Sequence, residues 1–211
     1  MKIKNMELEL ERLNGMMVYE RELYQRGKKL VCGIDEAGRG PLMGPVVAAA
    51  VILPEGFLIP GVNDSKKISE KNREYLFQEI TEKAVAIGVG IVDNERIDEI
   101  NILNATKEAM GMAIEGLGIK PDHLLIDAVK LEGTGIECTP IVKGDAISLS
   151  IAAASIIAKV TRDRMTMEYD ALYPAFGFKK NKGYGTAEHI KALKEQGPLP
   201  IHRRSFIKNF F

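Results

Sequence analysis

An α/β fold, a mixed sheet flanked by helices with a small C-terminal helical part, is what this sequence predicts, and three observations predict it. Apolar runs of strand length recur at residues 30–34, 46–53, 84–92, 123–127 and 137–142, each fitting a buried strand. A glycine-rich turn joins the first two runs, which favours an antiparallel hairpin, whereas helical patterns intervene later, which favours parallel pairing. The longest helical pattern, residues 146–172, contains the nearly continuous apolar segment IAAASIIA and so belongs inside, where its small residues let it approach a sheet closely.

Length and composition bound the rest. At 211 residues, 45% hydrophobic and 27% charged, the chain is one large domain, or one domain with a small appendage. We divide it into an N-terminal helical extension, 1–28, and a catalytic domain, 29–211, whose C-terminal helical part starts near 173. Lys+Arg and Asp+Glu are both 29, so any basic face is offset by an acidic one. Cys32 and Cys138 form no CxxC pair, which fits core packing in a reducing compartment. The N-terminus is charged and amphipathic, without the apolar centre of a signal peptide. Ser148, Ser150, Ser155 and Lys159 interrupt the longest apolar run, 147–160, so no membrane-spanning segment is expected and the chain is expected in the cytoplasm.

In chain order, residues 5–26 read as a helix broken near Gly15, with Gly27 as its C-cap. Strands at 30–34 and 46–53 follow, then a loop over 54–63. Asp64 or Ser65 can cap a helix, and 69–83 carries Tyr75, Leu76 and Ile80 on one face. A third strand, 84–92, leads into a helical stretch from Asp93 to about Gly118 with a break near Asn101. HLLID at 123–127 is a short strand ending in an acid, and another strand at 137–142 ends at Lys143-Gly144-Asp145. The long helix stops before Pro174. A loop over 178–185, a helix over 186–196 and an aromatic, basic end complete the chain.

The chemistry gathers at strand ends, where open α/β sheets place their ligand sites. Asp35 and Glu36 leave the first strand, Asp127 ends the fourth and Asp145 follows the fifth. Several carboxylates brought together oppose their own ionisation, and such oxygen-rich clusters suit hard divalent cations such as Mg²⁺. Two cations roughly 3.5–4 Å apart form the clamp used in phosphodiester hydrolysis. Taken alone, Asp35 and Glu36 also fit a solvated turn, and Asp145 also fits an N-cap for the helix beginning at 146. Ser155 and Lys159 reach a phosphate if their end of the helix faces the acids; otherwise they are a core serine and a solvated lysine. Lys179, Lys180 and Lys182 precede Gly183-Tyr184-Gly185, a pattern that suits a nucleic-acid backbone with a group stacked on the ring, or a structural plug. His123, His189 and His202 lack metal-ligand spacing and take ordinary structural roles. No GxxxxGK[ST] loop, GxSxG elbow or HExxH motif occurs, and Met43 breaks the dinucleotide fingerprint begun by Gly38 and Gly40.

These motifs together resemble one family. GIDEAGRGPLMGPVVAAAV (33–51), VNDSKKIS (62–69), LLIDAVKL (124–131), KGDAISLSIAAASIIAKVTRDRM (143–165), KNKGYGT (180–186) and HRRSF (202–206) are similar, in order, to the bacterial ribonuclease HII family, the type 2 ribonucleases H. The resemblance implies a ribonuclease H-like fold. It implies cleavage on the 5′ side of a ribonucleotide in RNA–DNA hybrids and in duplex DNA, by a water activated with one of two Mg²⁺ or Mn²⁺ ions, leaving 3′-hydroxyl and 5′-phosphate ends. Asp35, Glu36, Asp127 and Asp145 fall on the metal-binding acids. Gly38, Arg39 and Gly40 fall on the loop whose backbone reads the ribose 2′-hydroxyl, and Tyr184 on the tyrosine that stacks against the adjoining deoxyribose. Lys66 lies within a matching motif, and with Ser155 and Lys159 it completes the expected substrate contacts. A monomer without membrane attachment is expected. Met43 and Ile68 depart from the usual alanine and leucine. Arg39, with only about thirty residues ahead of the first strand, argues against the sister type, ribonuclease HIII. Ile207, Phe210 and Phe211 loosely resemble a sliding-clamp peptide but lack its leading glutamine, and packing is the favoured reading.

Overall fold

A computed structural model describes residues 3–210. Five strands, β1 (Val31–Ala37), β2 (Val46–Ile52), β3 (Ala86–Val92), β4 (His123–Asp127) and β5 (Cys138–Ile141), form one sheet in the order β3-β2-β1-β4-β5. β1 pairs antiparallel with β2, and β2 with β3; β1 pairs parallel with β4, and β4 with β5. The split follows the connections, because a tight turn returns the chain antiparallel and a crossover helix carries it round to a parallel register.

The helices are α1 (Met6–Gly15), α2 (Val18–Gln25), α3 (Glu70–Lys83), α4 (Asn94–Glu115), α5 (Gly144–Ile147), α6 (Leu149–Leu172), α7 (Phe178–Asn181), α8 (Ala187–Gln196) and α9 (Arg204–Ile207). β2 is buried along its whole length, and its side chains alternate between two cores. Ala49 and Val51 face α6, with α1 and α3 behind it; Ala48, Ala50 and Ile52 face α4. Small side chains on the strand bring both helices close. On β1, a Cβ at Gly33 would stand 2.1 Å from the Ser150 carbonyl carbon, so the first turn of α6 rests directly on that strand.

β1 runs on to Ala37 and so includes Asp35 and Glu36, instead of stopping at 34, and two further boundaries differ from expectation. The long helix starts at Leu149 rather than 146, and Ser148 is its N-cap, in extended backbone with its hydroxyl accepting from the Ile151 N–H at 3.3 Å. Asp145 therefore does not cap this helix but lies in the first turn of α5. The break holds because α1 and α2 supply the partners that α6 lacks. The Met16 carbonyl accepts from the Leu149 N–H at 3.0 Å. Buried Glu20 accepts through one oxygen from Ser148 Oγ (2.7 Å), Ser150 N (3.0 Å) and Ser150 Oγ (2.6 Å). Every N–H of the first turn thus has a named acceptor, as a buried helix end requires. The second difference is α7, a single helical turn within the expected 178–185 loop; it ends at Lys182 in left-handed backbone, φ 52°. The break near Asn101 is present as a kink, φ 67°, and the Asn101 side chain recaps the helix by accepting from the Leu103 and Asn104 N–H groups.

A third core lies under the C-terminal helices, where Leu42 and Met43 meet Phe176, Phe178, Leu193 and Ile207. Met43 is fully buried there, so this departure from the family's usual alanine fills space between the glycine loop and the C-terminal part. Phe210 packs against the same core; Phe211 lies outside the described residues. Among the described residues, no helix is long and apolar enough to cross a membrane.

Candidate active site

The parallel register sets Ile34 beside Ile126, so Asp35, inside β1 rather than past its end, is neighbour to Asp127, the last residue of β4. Asp35 is buried, and one oxygen accepts from the Glu36 N–H at 2.7 Å. Asp127 reaches across to the segment entering α5, accepting from the Gly144 N–H at 2.6 Å. That bond ties β4 to the turn that carries Asp145. Lys66, from the short 3₁₀ turn Ser65–Lys67, stands 3.7 Å from the Asp145 carboxylate. Arg39 stands 3.7 Å from that of Glu36.

The electrostatics record how near these acids are to one another. Burial, then the charges of Glu36 and Asp127, hold the Asp35 carboxyl well above the usual carboxylate range. Burial also raises Glu36, with Asp127 adding to it and Arg39 opposing. Asp145 is raised by burial and by Asp64 and Asp127, with Lys66 opposing. A group pushed this way holds its proton or finds a cation. One Glu36 oxygen, Oε2, is buried without any hydrogen-bond partner. Among the described residues, no three acids, histidines or cysteines already surround a single point; the four carboxylates are neighbours, not a closed cage.

A groove of about 480 Å³ opens beside Glu36. The Gly38-Arg39-Gly40 turn forms one wall, and Lys66, Ser155, Lys159 and Tyr184 line the rest. Tyr184 is half-exposed, and its ring lies against Gly40, where a Cβ would sit 3.3 Å from the ring edge. Ser155 donates to Ser65 Oγ at 2.8 Å, so its hydroxyl proton is already engaged where the groove meets the acids. Lys159 is drawn to Asp163 at 2.5 Å, and burial lowers its pKa; its charge enters the groove already partnered. The four acids thus lie together and Gly38, Arg39, Gly40, Lys66, Ser155, Lys159 and Tyr184 line the groove, whereas Lys179, Lys180 and Lys182 do not.

Two arginines to which the sequence alone assigns no role, Arg203 and Arg162, organise this loop. Arg203 is fully buried. Its guanidinium donates to the carbonyls of Gly38 (2.6 Å), Arg39 (3.0 Å), Pro41 (2.8 Å) and Gly44 (2.9 Å). With those carbonyls turned inward, the N–H groups of Arg39 and Gly40 have no partner among the described residues. Burial, then the Arg162 charge, pull Arg203 down to about 9, which still leaves it protonated at neutral pH. Arg162, buried on α6, donates to the carbonyls of Met43, Pro45 and Lys182, joining the glycine loop to the Tyr184 loop. Gly38 has φ 100°, and a Cβ there would lie 2.2 Å from Arg162 Nε; only glycine suits both conditions. No periodicity distinguishes these arginines from solvated ones.

The histidines also have settled places. His123 is buried and meets Thr139 Oγ1 at 2.8 Å. His189 and His202 are fully buried beneath the Tyr184 loop with their Nε2 atoms 3.0 Å apart.

Comparison with known proteins agrees with this architecture. The family model described as ribonuclease HII matches residues 32–209. A ribonuclease HII of Acetivibrio thermocellus is 62% identical over 204 residues, covering 97% of this chain and 80% of its own. Among solved structures, the ribonuclease H2 of Pyrococcus horikoshii superposes with a TM-score of 0.72 at 30% identity, covering 85% of this chain and 96% of that one. The ribonuclease HII of Archaeoglobus fulgidus, solved in complex with PCNA, gives 0.70 at 30% identity, over 82% and 93%.

Proposed function

The chain belongs to the ribonuclease HII family, nucleases of the ribonuclease H type, and from that premise we propose that it hydrolyses the phosphodiester on the 5′ side of a ribonucleotide. Its substrates are RNA–DNA hybrids and single ribonucleotides embedded in duplex DNA, and the cellular task is removal of misplaced ribonucleotides. The observation that carries this reading is the cluster of buried carboxylates opening onto a groove walled by a glycine loop and a half-exposed tyrosine.

The residues fit a divalent cation. The donors are all oxygens, Asp35 and Glu36 are held away from their ordinary ionisation, and Glu36 Oε2 is buried without a partner. Asp35, Glu36, Asp127 and Asp145 would hold Mg²⁺ or Mn²⁺. A pair of such ions supplies an activated water and charge neutralisation at the leaving 3′-oxygen, yielding 3′-hydroxyl and 5′-phosphate ends.

The remaining work belongs to the chain itself. Only the 2′-hydroxyl separates RNA from DNA at one sugar, and the unpartnered N–H groups of Arg39 and Gly40 are suited to meet it. Gly40, beside the Tyr184 ring, keeps that backbone open to an incoming sugar, and Gly38 makes room for Arg162 behind it. Tyr184 offers a ring face to the neighbouring deoxyribose. Lys66, with its side chain largely exposed, meets the phosphate charge; Lys159 adds field from behind its Asp163 partner, and Ser155, bonded to Ser65, lines the groove between them. All of these groups come from a single chain, so a monomer suffices. The PCNA complex belongs to the archaeal relative; here Ile207 is buried and Phe210 packs inward, which favours packing over clamp docking.

The test is cleavage of duplex DNA carrying one ribonucleotide, with Mg²⁺ and with EDTA. Asp35→Asn should abolish cleavage and retain binding, and substantial activity in that variant would overturn the metal role. Tyr184→Ala should reduce cleavage at the single ribonucleotide more than cleavage of long hybrids; equal losses would overturn the stacking role.

A further inference from the structure

Beneath Tyr184, the hydrogen-bonding atoms of two buried histidines leave only one arrangement of protons. The Leu199 N–H donates to His202 Nδ1 at 2.9 Å, and a backbone amide can only donate, so that nitrogen is bare. A neutral His202 then carries its proton on Nε2. At the other end, His189 Nδ1 lies 2.9 Å from the Tyr184 carbonyl, which can only accept, so this nitrogen bears the proton and His189 Nε2 is bare. The two Nε2 atoms, 3.0 Å apart, are therefore matched, with His202 donating and His189 accepting. Every ring nitrogen is used once.

The surroundings favour this uncharged state. The Phe178 ring meets His189 edge-on at 5.2 Å, and Phe176 lies 5.5 Å from His202. Burial lowers both rings, His202 to about 4, with Arg204 as its charged neighbour. The run reaches both walls of the groove. His202 bridges to Met43 in the glycine loop, His189 holds the backbone of Tyr184, and the Leu42 N–H donates to the Gly183 carbonyl at 2.8 Å.

We propose that His189 and His202 are positioning residues for substrate selection: a proton-ordered strut that sets Tyr184 against the glycine loop at the spacing a ribonucleotide–deoxyribonucleotide junction requires. This rests on the reading of Tyr184 as the ring that meets the deoxyribose. Neither histidine touches substrate; each acts through the Tyr184 backbone.

The experiment compares His189→Leu, which removes both bonds, with His189→Asn, whose amide N–H occupies the Nδ1 position and can still donate to the Tyr184 carbonyl. Losing one such bond should raise KM on duplex DNA with a single ribonucleotide about threefold to tenfold relative to long hybrid, with kcat changing less. His189→Asn should recover most of that ratio. Nitrogen-15 NMR of the unmodified protein at neutral pH should show His189 as the Nδ1–H tautomer and His202 as the Nε2–H tautomer. A protonated ring or reversed tautomers would overturn the strut even if the leucine variant fails to fold. If Tyr184→Ala changes the substrate ratio while His189→Leu does not, the strut is wrong and the tyrosine reading stands. If Tyr184→Ala leaves the ratio unchanged, the tyrosine reading fails, and a selection role for the histidines fails with it.

Discussion

Asp35 is more costly to the fold as a carboxylate than as a neutral group. Its pKa is raised on folding, so the folded state holds the proton more tightly than the unfolded one. Its stabilising contribution is complete at low pH and is lost as pH rises through the folded value. At neutral pH, Asp35→Asn should therefore stabilise the metal-free protein by on the order of 1 kcal/mol, or roughly 2–4 °C in Tm. Mg²⁺ should raise the Tm of the unmodified chain and do so much less for the variant. Thermal melts after EDTA treatment, with and without added Mg²⁺, measure both. The candidate acids were legible in the sequence because each stands at or just past the end of a short apolar run, although Asp35 and Glu36 also fitted a turn and Asp145 an N-cap. Asp64 was visible only as a capping candidate; its action on Asp145 depends on the 3₁₀ turn swinging toward α5. The arginines were not legible, since a buried Arg203 and a solvated Arg204 stand side by side in one basic motif.

At the scale of elements, the glycine loop is shaped from outside itself. Lysine has three donors on a flexible stem and cannot reproduce the planar fork that Arg203 spreads over four carbonyls. Arg203→Lys should destabilise the protein by about 1–3 kcal/mol, as expected when buried carbonyls lose partners. It should also weaken discrimination for a ribonucleotide more than binding of the duplex. Denaturant melts and cleavage ratios on matched substrates check the two parts. A similar dependence governs the start of α6. Glu20→Ala strips three donors at Ser148 and Ser150 of their acceptor and should cost about 2–4 kcal/mol, read as a lowered denaturant midpoint. Sequence pattern placed the strands well, because burial on both faces leaves the unmistakable run in β2. It misplaced the start of α6 because the residues that hold the break, Met16 and Glu20, lie more than a hundred positions upstream.

Over the whole molecule, acid titration divides into two opposing parts. Asp35, Glu36 and Asp145 have raised pKa values and gain stability as pH falls toward them. His189 and His202 have lowered values, so the unfolded chain takes up protons that the fold refuses. Their contribution is complete above about pH 6.5 and declines toward the folded value of His202, about 4. An NMR titration should accordingly find the His202 ring unprotonated at pH 5.5, where a free imidazole is mostly charged. Mixed strand pairing could be foreseen from where turns and helices fall between the runs. That one guanidinium and one histidine tie the glycine loop to the C-terminal part could not, because Arg203 and His202 lie far along the chain from that loop.

The glycine turn is made early and shaped late. Arg203 follows Gly38 by 165 positions, so a ribosome has threaded out nearly every strand and helix before the guanidinium that orients the turn can reach it. A polypeptide ending ahead of that arginine would hold all four carboxylates of the cluster but lack the fork that fixes the turn proposed to read the sugar. On the proposed reading of the sugar, that capacity is completed only when the C-terminal part has joined the turn.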